Sequence, residues 1–227
     1  MNVLKDRPLT PMPVWQVWAF YLSCFVAFVL HPMYSYSLVI YTRHITHSDG
    51  LTGLVFMLIC GPFAVFSLIG GIVSDRYSRK NIIIIASALA AFFVGVAAMI
   101  IDRGLISETS YGLLFVLAAV YGSIVPFMAT ARFAMVGNIL TPAKLGVGSI
   151  LLSIISVIGY GLGPLIAGVI KDTASWTWLF GFNAVGWALS GLGYLLITKA
   201  HAQTTLGNAS HFEDFKDGLK YIVNHKL

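Results

Sequence analysis

Six stretches of this sequence, roughly residues 15–41, 51–73, 82–101, 110–131, 146–170 and 176–198, contain no Asp, Glu, Lys or Arg. Crossing the ~30 Å hydrocarbon core of a bilayer takes an apolar helix of about 20 residues, and each of the six is long enough. In lipid every backbone N–H and C=O must find a partner within the protein, which leaves helices and closed barrels as spanning elements. The runs are continuously apolar rather than alternating, so they predict helices. Composition agrees: 58% of residues are hydrophobic and 10% charged, against roughly a quarter charged in soluble domains. Such a chain cannot cover itself with polar groups, so its solvent is largely lipid. The expected fold is an all-α membrane protein with six transmembrane helices.

The loops orient it. With the N-terminus in the cytoplasm, the cytoplasmic segments hold Lys5, Arg7, Arg76, Arg79, Lys80, Arg132, Lys144, Lys199, Lys216, Lys220 and Lys226. The opposite side holds only Arg43, Arg103 and Lys171. That asymmetry follows the positive-inside rule, so both termini are expected in the cytoplasm. It also accounts for the net charge of +5 without a nucleic-acid partner. Lys5 and Arg7 look like a signal-peptide n-region, but the next apolar run is too long for an h-region and no small-residue cleavage site follows. A retained first helix, kinked at Pro32, is expected. Cys24 and Cys60 lie inside apolar runs without metal-ligand spacing and read as small core residues. All nine carboxylates fall outside the six spans. Membrane-buried charge is costly and usually functional; tyrosine and cysteine aside, His31 is the one ionisable side chain expected well inside a span.

Between the second and third spans the sequence "GGIVSDRYSRKN" packs Asp75, Arg76, Arg79 and Lys80 into six residues. The order G-x-x-S-D-R-x-S-R-K over residues 71–80 resembles the signature loop of the major facilitator superfamily of secondary transporters. The resemblance implies a cytoplasmic latch built from Gly71, Asp75, Arg76, Arg79 and Lys80, with Gly71 letting two helices approach closely and the basic residues facing the phospholipid surface. Ser78 stands where the family often has glycine.

The fifth span, "SVIGYGLGPLIAGVI", carries Gly159, Gly163, Pro164 and Gly168 in a G-x-x-x-G-P-x-x-x-G pattern that resembles the fifth helix of superfamily exporters. Small residues four apart make a flat face for a neighbouring helix, and an internal proline bends its own helix. Arg132 after a small-residue pair at the cytoplasmic end of the fourth helix, followed by Pro142 in the next loop, resembles the efflux branch that includes macrolide and siderophore exporters. Proton-coupled drug antiporters of the superfamily usually carry an arginine midway along the fourth helix. Residues 113–122 have none.

The resemblance further implies an inverted 3+3 repeat forming the N-terminal half of the fold. The expected organisation is a tail at 1–14, a six-helix bundle at 15–198 and a connector at 199–227 with an amphipathic helix, ending short of a second half. Asn208 sits in a glycosylation pattern that should be inert on the cytoplasmic side. The implied function is secondary active efflux of small amphipathic molecules by alternating access in the bacterial inner membrane. Its partners would be membrane lipid, a small-molecule substrate and a second six-helix half. A truncated, non-transporting membrane protein acting as an interaction or assembly partner is the alternative. One intramembrane histidine without an intramembrane carboxylate supplies neither a triad nor a two-carboxylate site, so no enzyme, metal or cofactor is expected. No P-loop occurs.

His31, Tyr34 and Ser35 share one face of the first span by their i, i+3, i+4 spacing. With Tyr121 on the fourth span and Asn183 on the sixth they make up the candidate substrate pathway. For each, the alternative is a helix–helix hydrogen bond inside the bundle. A protonation switch in this half would reside at His31.

Overall fold

A computed structural model of the chain describes residues 12–197. The six apolar runs become six long helices: α1 Val14–Thr46, α2 Asp49–Arg76, α3 Arg79–Asp102, α4 Gly112–Ile139, α5 Pro142–Thr173 and α6 Trp176–Gly193, with a 3-10 turn at Tyr194–Leu196. Each is long and apolar enough to cross a membrane, α6 together with its terminal turn. Short polar residues set several ends. Ser48 Oγ accepts from the Leu51 N–H at 3.3 Å to open α2, and Ser175 Oγ accepts from the Trp178 N–H at 3.4 Å to open α6. Such caps contribute about 1 kcal/mol each. Pro142 begins α5, where its missing N–H costs nothing.

Two expected extents are corrected. The fourth span runs as helix to Ile139 rather than stopping near 131, and the sixth leaves α-helical geometry after Gly193. The first correction matters for chemistry. Arg132, expected in a cytoplasmic segment, lies on α4 and is 3% exposed. Helical periodicity places it on the inward face with Met128 and Met135, both buried. His31 is therefore not the sole non-tyrosine, non-cysteine ionisable group inside the bundle. The five carboxylates among the described residues do sit at helix ends or in loops: Asp49, Asp75, Asp102, Glu108 and Asp172. The connector at 199–227 and most of the 1–14 tail lie outside the described residues.

The most extensive helix contacts join α2 with α4, α1 with α5 and α3 with α6. Exchanging helices 1–3 for helices 4–6 swaps the first two pairs and returns the third to itself. The next pairs, α3 with α4 and α1 with α6, obey the same exchange. An odd number of spans per repeat turns the second copy upside down, so the packing is that of an inverted 3+3 repeat. The half-bundle has α3 and α6 packed behind α4 and α1, with α2 flanking α4 and α5 flanking α1. The flanking helices bury only narrow strips: Val55, Ile59, Gly70 and Ser74 on α2, and Gly148, Leu152, Gly159, Gly163 and Ala167 on α5. Both interfaces close on glycine. A Cβ on Gly122 of α4 would lie 2.9 Å from the Ile59 Cα on α2, and one on Gly70 would lie 3.3 Å from the Pro126 carbonyl.

Candidate functional site

Arg79, the first residue of α3, is the hub of the charged turn. Its Nη1 donates to the Ala134 carbonyl at 2.7 Å and to Asn138 Oδ1. Its Nε donates to the Ser74 carbonyl at 3.3 Å, and its Nη2 meets Asp75 Oδ1 at 3.3 Å. One guanidinium thus ties the last turns of α2 and α4 to the start of α3. Lys80 Nζ donates to the Ile197 carbonyl at 2.7 Å and the Leu195 carbonyl at 3.5 Å, occupying acceptors left free beyond α6. These two basic residues therefore point into the bundle rather than toward a phospholipid surface. Arg76 is exposed and makes no hydrogen bond or ion pair among the described residues. The close helix approach belongs to Gly70: a Cβ on Gly71 would meet nothing within 4 Å.

On the other flank, a Cβ at Gly163 would lie 2.7 Å from the Pro32 ring and 2.9 Å from the Met33 nitrogen. One at Gly159 would lie 2.7 Å from Phe28 Cβ. These glycines bring α5 against α1 at residues 28–33. Pro164 is half-buried beside them, and Gly168 faces open space. The close approach carries Tyr160, 45% exposed, to the side of α1. There it meets His31 edge-on at 5.7 Å and Phe28 at 6.4 Å, and Phe28 reaches Phe133 of α4 at 6.2 Å. Phe133 is 47% exposed. The result is an aromatic surface across α1, α4 and α5, formed by Phe133 and Tyr160 over the buried Phe28, with His31 partly exposed within it.

The structure separates the remaining candidates by depth. His31 Nδ1 lies 3.2 Å from Tyr121 Oη and its ring stacks on Tyr121 at 5.8 Å. Ser35, beside it on the partly exposed side, donates back to the His31 carbonyl at 2.9 Å. Tyr34 is fully buried between Tyr121, at 4.2 Å, and Phe180, at 5.5 Å. Asn183 is also buried and its Nδ2 donates to the Leu30 carbonyl at 3.0 Å, a bond between α6 and α1. Tyr34, Tyr121 and Asn183 thus belong to the interior of the half-bundle, while His31 and Ser35 border the aromatic surface.

Behind Tyr121 lies the buried cation. Arg132 sits over the rings of Trp187 at 5.7 Å and Tyr194 at 5.8 Å, and its Nε donates to Tyr194 Oη at 3.1 Å. Tyr194 Oη is in turn 3.1 Å from Cys24 Sγ. An arginine deep in a membrane helix costs about 2.5–3.5 kcal/mol on insertion scales. Two desolvated cation–π contacts at about 2 kcal/mol each and one charge-assisted hydrogen bond offset it. Trp187 stands 6.5 Å from Tyr121, so rings run from Arg132 through Trp187 and Tyr121 to His31. Sequence reasoning passed over Tyr160 and Trp187. Tyr160 was within reach, because it sits inside the glycine–proline pattern. Trp187 carried no local signal.

The model of the Major Facilitator Superfamily matches residues 16–227 of the chain. The chain belongs to that superfamily. Among curated superfamily proteins it is 26% identical over 174 residues to the enterobactin exporter EntS of Shigella boydii serotype 4 (strain Sb227). The enterobactin exporter EntS of Escherichia coli O157:H7 (strain EC4115 / EHEC) gives the same identity over the same length. In both, the aligned region covers 74% of this chain and 40% of the relative. The chain thus spans well under two thirds of these relatives. As a superfamily member it owes its six helices and their paired packing to the shared fold, and its charged turn and fifth-helix glycines lie at the two flanking interfaces of that fold.

Proposed function

We propose that this chain is the N-terminal lobe of a secondary active transporter that exports small amphipathic molecules by alternating access. The observation that carries the reading is the aromatic surface over α1, α4 and α5, set between two flanking helices that bury little within the chain. A second six-helix lobe would cover those helices and close a pathway in which His31, Ser35, Phe133 and Tyr160 face substrate, with the buried Phe28 packed beneath them. Relatives named as enterobactin exporters support the outward direction. Membership of the superfamily supports a gradient-driven mechanism, as does the lack of a P-loop.

In this reading the charged turn latches the cytoplasmic ends. Arg79 already binds α2 to α4 and holds Asp75, so rocking of the lobe would move these ends as one body against the opposite lobe. Both termini then lie in the cytoplasm, a placement supported by the excess of basic residues on that side.

The test is retention of a fluorescent amphipathic dye by energised bacterial cells. The chain is produced alone and together with a second six-helix lobe. Lower retention with both lobes, abolished when the exposed Phe133 and Tyr160 are replaced by alanine, supports the proposal. Equal retention in every strain overturns it.

A further inference from the structure

On the outer side of the half-bundle, α2 and α3 hardly touch each other although both pack on α4. The two helices leave an opening between them, and α4 forms its floor. The resulting groove has a volume of about 270 Å³ and is lined by Val73 of α2, Ile82, Ile85, Ala86 and Leu89 of α3, and Ile124 and Phe127 of α4. Every lining side chain is hydrocarbon. Ile85 and Leu89 form an exposed rim, while Ala86 is buried and keeps the channel deep.

The mouth of the groove has a different chemistry. Arg76 follows Val73 by three residues on α2, so the two project from nearly the same helical face. Arg79 and Lys80 are committed to carbonyls and Asn138, and the Asp75 carboxylate is held by Arg79. Arg76 alone brings an uncommitted charge to the groove's end. Tyr77, 64% exposed, follows it in the chain, and tyrosine is a side chain favoured where proteins meet lipid headgroups. Ser78 puts no side-chain cap on α3 and no acidic residue follows in its first turn, so the local partial charge there is positive as well.

We propose that this groove holds an acyl chain of an anionic phospholipid whose phosphate is bound by Arg76. An open apolar groove with one free guanidinium at its end matches a molecule with a hydrocarbon tail and a negative head. A zwitterionic headgroup would present its ammonium to a mouth whose only carboxylate is already paired. Lipid bound there would wedge between α2 and α3 beside the Arg79 hub, so its departure would be felt at the ends of α2 and α4.

The experiment uses the whole chain, purified from vesicles of equal phosphatidylglycerol and phosphatidylethanolamine, with retained lipid read by native mass spectrometry. Phosphatidylglycerol should be enriched several-fold. Arg76→Gln should abolish the headgroup preference, and Leu89→Trp, which fills the channel from its exposed rim, should remove the retained lipid. A photo-crosslinking residue at Ile85 should label lipid. Equal retention of the two lipids, insensitivity to both substitutions, or crosslinking of Ile85 to polypeptide in place of lipid would each overturn the proposal. Both variants alter exposed side chains, and an unchanged melting temperature in detergent separates loss of lipid from loss of fold.

Discussion

Arg132 lies over the indole of Trp187 at 5.7 Å, deep in the half-bundle, and no carboxylate joins it among the described residues. Planar guanidinium and aromatic faces are matched here in a way an ammonium cannot reproduce. Arg132→Lys is therefore expected to destabilise nearly as much as Arg132→Ala. A buried ammonium would lose the stacked contacts yet still carry its desolvation cost. Arg132→Met, which keeps bulk and removes charge, should be the mildest of the three. Thermal unfolding in detergent gives the ranking, and a lysine variant as stable as wild type would show that charge alone matters.

The fifth-helix glycines differ in what surrounds them, and substitution should reveal it. A methyl on Gly163 would enter the backbone of α1 near Met33, and one on Gly159 would enter that of Phe28. Overpacking of this kind costs about 1–3 kcal/mol. Gly168→Ala meets open space and relieves a glycine in a helix, so it should be neutral or slightly stabilising. The same contrast holds on the opposite flank, where Gly70→Ala should destabilise and Gly71→Ala should not. Melting temperatures of the four single variants, with Gly159→Ala as a fifth, check the pattern.

Arg79 and Asp75 are unequal partners despite their 3.3 Å contact. Asp75 has a side chain 59% exposed and contributes through one surface pair, worth about 0–1 kcal/mol. Arg79 is mostly buried and holds two backbone carbonyls and Asn138 as well. Asp75→Asn should leave stability almost unchanged, whereas Arg79→Gln should loosen the ends of α2 and α4. Hydrogen exchange of residues 70–80 and 134–140 measures this directly. Equal protection in the two variants would contradict the hub assignment.

Helices were readable from the chain because lipid reduces the problem to length and polarity, and all six appear where the apolar runs place them, with α4 continuing past its expected end to Ile139. Arg132 was misread for a physical reason. Counting basic residues assigns every arginine to a loop, yet Phe133, Met135, Val136 and Ile139 carry the apolar run past it. Its stabilising partners, Trp187 and Tyr194, lie more than fifty residues downstream, where no local period reports them. Gly70 and Gly71 show the limit of a motif. One residue of helix is a rotation of about 100°, enough to move a glycine from a helix contact to open space. His31, Tyr34 and Tyr121 do come together, but the division of the polar side chains into buried and bordering members depends on the approach of α5 and α6.

His31 is the polar side chain that both borders the aromatic surface and touches the interior, through Tyr121. If it meets substrate, His31→Gln should lower efflux while leaving the fold intact, because glutamine can still bond to the Tyr121 hydroxyl but cannot present a ring to Tyr160. Ring pairs contribute about 0.5–1.5 kcal/mol, equivalent to a loss of about two- to tenfold in apparent affinity. Tyr121→Phe removes the hydroxyl from the other end of the bond and lies deeper, so it should act on stability more than on affinity. Concentration-dependent efflux from vesicles holding both lobes separates the two effects. Unaltered affinity and an unaltered pH profile in His31→Gln would assign His31 to the interior packing of the lobe and return the substrate surface to Phe133 and Tyr160.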